Sequence, residues 1–467
     1  MEIPILSGVY VDADPRFRTL YPVNLAPVPV ANGISNSYLR PGEGMVAEAV
    51  GIGVDRGGIN WNDVCYRVSG SKLISVAANN VVTVLGDVGG STFDQHVTFN
   101  YSFDLLAIAS NDNLFYWDGA TLTQVTDIDL GVVVDMVWVD GYFMTTDGEF
   151  LIVTELNNPL AVNPLKYGAS EIDPDPVVAL LKLRNEVHAL NRYTIEVFDN
   201  VGGDLFPFAR IDGAQISKGC VGVHACCVFM EAIAFVGSGR NEAPSIYMGA
   251  SGQTVKISSQ EIDTILLDYT EEQLSVSLVE ARNDKAHEYL YVHLPDRTLV
   301  YDATASRELQ APVWLVMTTA ITGFSQYRAR SFVWAYNKWL IADPQSTALG
   351  TFSDTNGAHW GVDVRWEFGT AIIYNSGMGA VFHDLELVAL TGRVDADTVI
   401  STSWSYDGID YTADAPIPTG GPGNFQKRLC WRRQGKMRNW RIQKFTGDSR
   451  AHLSFARLEA RIEPLMF

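Results

Sequence analysis

Short runs of strand-forming residues joined by Asp-Gly pairs are the feature that most restricts the fold of this chain. Residues 137–139 run into Asp140-Gly141, residues 142–146 run into Asp147-Gly148, and residues 149–154 complete the unit. A two-residue Asp-Gly loop favours a type I′ turn, because glycine adopts a positive φ without steric cost. Strands joined so tightly must pair antiparallel. The segment therefore predicts a three-stranded meander.

Further runs rich in β-branched and aromatic residues follow at fairly even spacing. They cover residues 65–76, 105–109, 114–117, 187–198, 228–236, 289–293, 298–301, 313–317 and 332–340. Meanders that recur about every 40–60 residues are typical of a β-propeller. One segment differs, because Ser258-Ser259 precedes apolar residues at helical spacing, namely Ile262, Ile265 and Leu266. This spacing, and a second helix start at Thr270, predict a short helical insertion in the propeller-like body.

The two ends of the chain have different patterns from this body. Longer strand-like runs cover residues 364–374, 381–390, 398–405 and 428–445, which predicts a C-terminal β-sandwich. The first sixty residues contain Pro22, Pro27, Pro29 and Pro41, which favours an extended arm. We therefore predict an all-β chain with an arm over 1–60, a β-propeller-like domain over 61–355 and a β-sandwich over 356–467. An arm without its own core is expected to contact a neighbouring subunit through Tyr21, Pro22, Asn24, Tyr38 and Arg40.

Charge is distributed unevenly between the body and the C-terminus. The chain has 34 Lys plus Arg against 54 Asp plus Glu, a net charge of -20. Between Lys427 and Arg461 there are eleven basic and two acidic residues, so this segment carries +9 and the other 432 residues carry -29. The basic segment is either a solvated strand face or a contact surface for an acidic protein or DNA. The candidate interface residues are Lys427, Arg428, Arg432, Arg433, Lys436, Arg438 and Arg441. Alternation predicts that Leu429 and Trp431 face the sandwich core while Arg428 and Arg432 face outward.

Sequence signals for targeting and for disulfides are weak. No apolar run reaches about 18 residues, so no transmembrane helix is expected. Met1-Glu2-Ile3-Pro4 lacks the basic start of a signal peptide. The five scattered cysteines fit reduced, mostly buried thiols of a protein made in the cytoplasm.

The motifs that would indicate catalysis, a cofactor or a metal fail on spacing. Gly51-Ile52-Gly53 is followed by a strand-like run, whereas a phosphate cradle needs a helix N-terminus. Cys220, His224, Cys226 and Cys227 lie in a predicted strand that would hold Cys220 and Cys226 about 20 Å apart, too far for one metal ion. We therefore predict no catalytic, metal or cofactor-binding residues and no enzymatic activity.

Several segments together resemble the packaged-DNA stabilisation proteins, or tail hub (nozzle) proteins, of short-tailed double-stranded DNA bacteriophages. The resemblance is carried by Tyr21–Leu25 and Tyr38–Arg40, by Val64–Leu73, by Ala243–Tyr247 with the helical segment to Glu272, by His293–Pro295 with Leu299–Ala303, and by Tyr406–Tyr411 with Lys427–Arg438. The order and spacing of these segments extend over nearly the whole chain.

This resemblance implies a structural part of the virion tail that assembles in the host cytoplasm. It implies a homo-oligomeric ring, commonly of six copies, that extends the DNA channel below the portal adaptor ring. The ring would retain packaged DNA, let it pass without sequence-specific binding, and support a tail needle or plug and tailspikes or tail fibres. An adjacent acidic ring such as the portal adaptor is the expected partner of the basic segment.

The alternative is a propeller protein that binds or degrades polysaccharide. Such a protein would use exposed aromatic side chains as platforms, and Trp334, Tyr336 and Trp339 are the candidates, although packing in the core also explains them.

Overall fold

The computed structural model describes residues 2–3, 5, 21–30, 34–35, 37–91, 95–156, 158–250, 252–394 and 397–465. Antiparallel strands form two domains, a β-propeller and a β-sandwich, which confirms the predicted fold class. In the described part of the chain, no helix is long and apolar enough to span a membrane.

Within the described residues, seven four- or five-stranded sheets form the blades of the propeller. The strands of blades 1 to 3 are Asp55–Trp61, Val64–Ser69, Lys72–Val76 and Val82–Asp87; Thr98–Tyr101, Leu106–Ser110, Asn113–Trp117 and Leu122–Gln124; Asp135–Val139, Tyr142–Thr146, Phe150–Glu155 and Asn158–Ala169. Those of blades 4 and 5 are Val177–Leu183, Glu186–Asn191, Ile195–Asn200 and Phe208–Arg210; Gly219–Cys220, Cys226–Phe229, Ala232–Ser238, Ser245–Ala250 and Gln253–Lys256. Those of blades 6 and 7 are Leu278–Asp284, His287–His293, Thr298–Asp302 and Trp314–Met317; Arg330–Ala335, Lys338–Ala342, Ala348–Ser353 and Gly44–Val50.

The ring of blades is closed by a strand from the N-terminal part of the chain. Gly44–Val50 pairs antiparallel with Ala348–Ser353 and so forms the outer strand of blade 7. The inner strands of neighbouring blades contact one another around the whole ring, including Arg330–Ala335 of blade 7 with Asp55–Trp61 of blade 1. Buried apolar side chains fill the space between each pair of blades. The propeller therefore has a continuous circular core.

Type I′ geometry supports the tightest of the predicted hairpins. Asp140 (φ 47°) and Gly141 (φ 88°) form the whole connection between the first two strands of blade 3. At Asp147-Gly148 the loop is one residue longer, and the Asp147 carboxylate accepts hydrogen bonds from the backbone N–H groups of Glu149 and Phe150. The predicted three-stranded meander is confirmed, and a fourth strand extends it.

The helical insertion lies between blades 5 and 6. Helix α1 spans Gln260–Leu267, with Ser259 as its N-cap, and helix α2 spans Glu271–Ser275, with a capping box at Thr270. Ile262 and Leu266 are buried against the propeller, as the apolar spacing predicted. A third helix, α3, spans Ala303–Leu309 inside blade 6, and a one-turn 3₁₀ helix spans Ile128–Leu130.

The sandwich is built from both ends of the chain. One sheet contains Glu2–Ile3, Leu25–Pro29, Ser37–Pro41, Ala380–Ala389, Leu429–Arg432, Lys436–Met437 and Phe455–Pro464. The second contains Arg365–Gly369, Ile373–Tyr374, Val399–Ser405, Ala415–Pro418 and Trp440–Asp448. Aromatic rings such as Phe368, Phe382, Phe445 and Phe455 fill the core between the sheets.

This arrangement corrects the predicted arm over residues 1–60. Its described parts belong to the two domains, and residues 6–20, which the prediction also included, lie outside the described residues. Two of the prolines that suggested an unpaired arm, Pro27 and Pro29, lie in Leu25–Pro29, an edge strand of its sheet, where a missing N–H is tolerated, and Pro41 is the last residue of the neighbouring strand Ser37–Pro41. The propeller is consequently inserted between the N-terminal and C-terminal strands of the sandwich.

Candidate partner interface

The basic segment forms one border of the first sandwich sheet. Leu429–Arg432 and Lys436–Met437 both pair with Ala380–Ala389. Leu429 and Trp431 are buried in the sandwich core, whereas Arg428 and Arg432 are exposed. The predicted alternation of apolar and basic side chains along this strand is confirmed.

Four cations of this border are exposed and define a surface that we name the basic rim: Arg432, Arg433, Lys436 and Arg438. None of the four forms an ion pair within the described part of the chain. Arg432 and Lys436 lie in the two border strands and Arg438 follows the second of them, whereas Arg433 lies in the turn that joins the strands. In it, Arg433 has a left-handed backbone (φ 57°) and donates its N–H to the carbonyl of His383 at 2.7 Å. Lys427, at the start of the segment, is half-buried and likewise unpaired in the part described.

Other cations of the segment are neutralised by carboxylates. Arg428 binds Glu386 in a two-point contact, with 2.7 Å between Nε and Oε1. Arg461 pairs with Asp384 at 3.0 Å. Both carboxylates come from Ala380–Ala389, a strand distant in sequence. The unpaired positive charge of this segment is therefore smaller than its net charge of +9, and it is concentrated at the basic rim.

Arg441 corrects the predicted set, because its side chain is fully buried. Its guanidinium donates to the carbonyl of Gln434 at 2.7 Å and to Oε1 of Gln443 at 2.5 Å, and it lies 3.7 Å from the ring centre of Phe382. Burial lowers the pKa of Arg441 to about 10, so it stays protonated at neutral pH. Its role is to hold the turn that carries Arg433, not to contact a partner.

Aromatic side chains adjoin the basic rim. The rings of Trp404 and Tyr406 meet edge to face, with 4.8 Å between their centres, and the Tyr406 hydroxyl donates to the carbonyl of Lys436. Tyr406 is half-exposed. Arginine, tyrosine and tryptophan are the residues that most often dominate the binding energy of protein interfaces. Sequence reasoning missed these two aromatic residues because they lie on the other sheet.

The five predicted arm residues have contacts within their own chain. Tyr21 is buried, with its hydroxyl 2.6 Å from Oγ of Ser259 and donating to Glu261 at 3.2 Å, and burial raises its pKa. The carbonyl of Pro22 accepts from the N–H of Val316.

The other three predicted arm residues also form contacts that attach the N-terminal segment to the rest of the chain. Asn24 is also buried and donates to the carbonyls of Thr318 at 2.9 Å and Arg365 at 2.7 Å. Tyr38 is paired in the hairpin, and Arg40 donates to the Tyr289 hydroxyl at 3.2 Å. The segment therefore joins the two domains, and its contact with a second subunit stays a prediction.

The cysteine cluster differs from the predicted single strand. Gly219–Cys220 and Cys226–Phe229 are separate strands that both pair with Ala232–Ser238, where Cys220 lies opposite Gly237 and Cys226 opposite Phe235. The two thiols are thus close together, and the neighbouring Cys220 side chain and burial raise the pKa of Cys226. Each thiol donates to a backbone carbonyl, Cys220 to Gly222 and Cys226 to Val223. Among the described residues, no group of three His, Cys, Asp or Glu side chains is arranged to hold a metal ion.

A propeller inserted into a sandwich defines a two-domain β protein, and the sequence comparisons specify its family. The chain belongs to the bacteriophage P22 Gp10 family, whose β-propeller description matches residues 1–357 and whose β-sandwich description matches residues 365–463. The tail hub protein gp10 of Salmonella phage P22 is 26% identical over 459 residues, which cover 94% of each chain. This relationship supports a structural role in a phage tail.

The comparison with solved structures gives matches with TM-scores below 0.5. The Pan2 WD40 domain of Neurospora crassa matches with a TM-score of 0.43 at 9% identity, over 66% of this chain and 95% of that domain. PorZ of Porphyromonas gingivalis matches with a TM-score of 0.41 at 12% identity, over 79% of this chain and 46% of PorZ.

Proposed function

We propose that this chain is the tail hub, or nozzle, of a short-tailed phage, a structural and non-enzymatic part of the virion tail assembled in the host cytoplasm. The observation that carries the proposal is its relationship to the P22 tail hub protein over 94% of both chains, including both domains. In this role the chain forms a homo-oligomeric ring, commonly of six copies. The ring extends the DNA channel below the portal adaptor and supports a needle or plug and spikes or fibres.

The distribution of charge fits a channel that carries DNA. Outside residues 427–461 the chain has a net charge of -29. Each phosphate that a protein neutralises adds salt-dependent affinity for DNA. An acidic body therefore does not bind DNA tightly and lets it slide during ejection, so retention of packaged DNA in this role would come from physical closure of the channel.

The assembly is tested on the full-length protein by native mass spectrometry and negative-stain electron microscopy. We expect a ring, alone or on addition of portal–adaptor complexes. A chain that remains monomeric at micromolar concentration with those complexes present would contradict the proposal.

We assign the basic rim as the surface that contacts the adjacent acidic ring, the portal adaptor. Its arginines are unpaired in the described part of the chain, and a guanidinium matches a carboxylate in a two-point contact. An exposed ion pair contributes only about 0–1 kcal/mol, so attachment requires several pairs repeated around a ring. A permanent joint to an acidic protein fits this surface better than a grip on DNA, which would slow ejection.

Charge reversal tests this assignment. We expect Arg432→Glu with Arg433→Glu to weaken attachment to the portal–adaptor complex in a sedimentation assay, without changing the thermal unfolding temperature. The control, Arg240→Glu with Arg450→Glu, makes the same change in net charge at exposed positions outside the basic rim. Attachment of the first variant at wild-type strength in moderate salt would contradict the assignment.

A further inference from the structure

A groove of about 710 Å³ lies between blades 6 and 7. One wall is the turn from Asn283 to Glu288 in blade 6 together with Thr304 and Arg307 of helix α3, and the other is formed by Trp334 and Trp339 of blade 7. This volume is in the range of sites that bind small ligands. The groove is separate from the basic rim and from the N-terminal attachment.

The two tryptophans form a fixed aromatic wall. They are opposite each other in neighbouring strands, and their rings meet at 62° with 5.3 Å between centres. The carbonyl of Trp334 accepts a hydrogen bond from Asn60 at 2.8 Å, and the Trp339 ring lies 5.8 Å from the guanidinium of Arg282. Trp334 nevertheless remains 46% exposed. A large aromatic side chain is thus held in position with nearly half of its surface exposed.

The charged side chains Asp284, Lys285, Glu288 and Arg307 that line the groove each form an ion pair. Arg307 binds Glu288 at 3.0 Å, Asp284 binds Arg282 at 2.6 Å, and Lys285 binds Glu43 at 2.5 Å. These pairs leave little net charge to attract a nucleic acid or an acidic peptide.

Hydrogen-bonding capacity remains in the groove despite this pairing. The amide side chain of Asn283 is exposed and has no hydrogen-bond partner in the described chain. A guanidinium and a carboxylate in one exposed pair retain further donor and acceptor positions. Together these groups suit an uncharged ligand that has one apolar face and many hydroxyl groups.

We propose that this groove binds a neutral oligosaccharide. The C–H face of one sugar ring stacks on Trp334, while hydroxyl groups exchange hydrogen bonds with Asn283 and with the Glu288–Arg307 pair. Tyr336, the third aromatic residue considered as a platform, is excluded from the site because its hydroxyl donates to the carbonyl of Val76 and accepts from the N–H of Cys65. The site binds without cleaving, and the proposal does not depend on the tail hub function.

The test uses the full-length protein with maltohexaose, cellohexaose and mannohexaose as probes, measured by saturation-transfer NMR and by tryptophan fluorescence. We expect at least one hexasaccharide to bind in the millimolar range, and Trp334→Ala to weaken that binding at least about tenfold. Trp334→Phe should give an intermediate loss because it keeps part of the stacking face. Tyr374→Ala removes a similarly exposed aromatic ring from the sandwich and should leave binding unchanged.

Two results would overturn the proposal. One is the absence of binding by all three hexasaccharides up to about 10 mM. The other is unchanged binding by a Trp334→Ala variant whose circular dichroism spectrum is native.

Discussion

The guanidinium of Arg441 is enclosed between the two sheets of the sandwich. It satisfies the carbonyl of Gln434 and the side chain of Gln443, and it lies over Phe382. A buried polar group that loses its partner costs about 1–3 kcal/mol, whereas an exposed cation contributes little. Its contacts therefore stabilise the turn that presents the basic rim.

Arg441→Met is expected to lower the free energy of unfolding by about 1–3 kcal/mol, because it leaves the Gln434 carbonyl and the Gln443 amide without their donor. The measurement is urea unfolding followed by tryptophan fluorescence. Arg438→Met is the matched control, since it removes the same group from an exposed position three residues earlier. Equal stability of the two variants would refute the structural role of Arg441.

At the scale of strands and helices, the sequence predicted the turns and helix caps that are determined by contacts between residues close together in the chain. The Asp140-Gly141 turn and the Ser259 cap depend on neighbours in sequence, and both are present. Other hairpins have turns whose residues give a weaker sequence signal. The sequence pattern predicts one strand over residues 65–76 and one over 332–340, whereas the structure has two strands in each of these segments. At Tyr336-Asn337, for example, two non-glycine residues adopt positive φ, and although asparagine favours this conformation, tyrosine does not.

Pairings between distant segments could not be predicted. The closing strand Gly44–Val50 lies about 300 residues from its partner, and nothing in its composition identifies that partner. The same limit applies to the extent of the basic rim, because alternation places Arg428 and Arg432 outward but cannot show that Glu386 and Asp384, from another strand, neutralise Arg428 and Arg461.

Closure of blade 7 depends on the close approach of two strands at Gly350. A Cβ atom on this residue would lie 1.9 Å from the carbonyl oxygen of Val46 and 2.9 Å from the Trp360 ring. Gly350→Ala should therefore displace Gly44–Val50 and destabilise the protein by about 1–3 kcal/mol. Hydrogen–deuterium exchange should show faster exchange in residues 44–50, with a lower unfolding temperature.

Gly421→Ala serves as the control for this substitution. Gly421 has no heavy atom within 4 Å of an added Cβ and does not have a left-handed backbone. If exchange in residues 44–50 were the same in both variants, the closing role of this strand would be wrong.

On the scale of the whole molecule, the sandwich needs segments of the chain that come both before and after the propeller. The propeller lies between Pro41 and Arg365, while strands on both sides of it form one sandwich sheet. Leu25 and Leu39 from the N-terminal side are fully buried in the sandwich core. The strand Ser37–Pro41 pairs with Phe455–Pro464, and Glu2–Ile3 pairs with the same strand.

An isolated fragment of residues 356–467 should consequently fail to fold, because it lacks three strands of its first sheet and the two buried leucines. Burial of a leucine side chain contributes about 1.5–3 kcal/mol, which is a large part of the net stability of a small domain. Joining residues 1–43 to residues 357–467 through a short glycine-serine linker should restore folding. The ends to be joined are close, since the N–H of Met45 donates to the carbonyl of Ala358 at 2.9 Å. Circular dichroism and heteronuclear NMR of both fragments test this, and a folded 356–467 fragment would show that the N-terminal strands are dispensable.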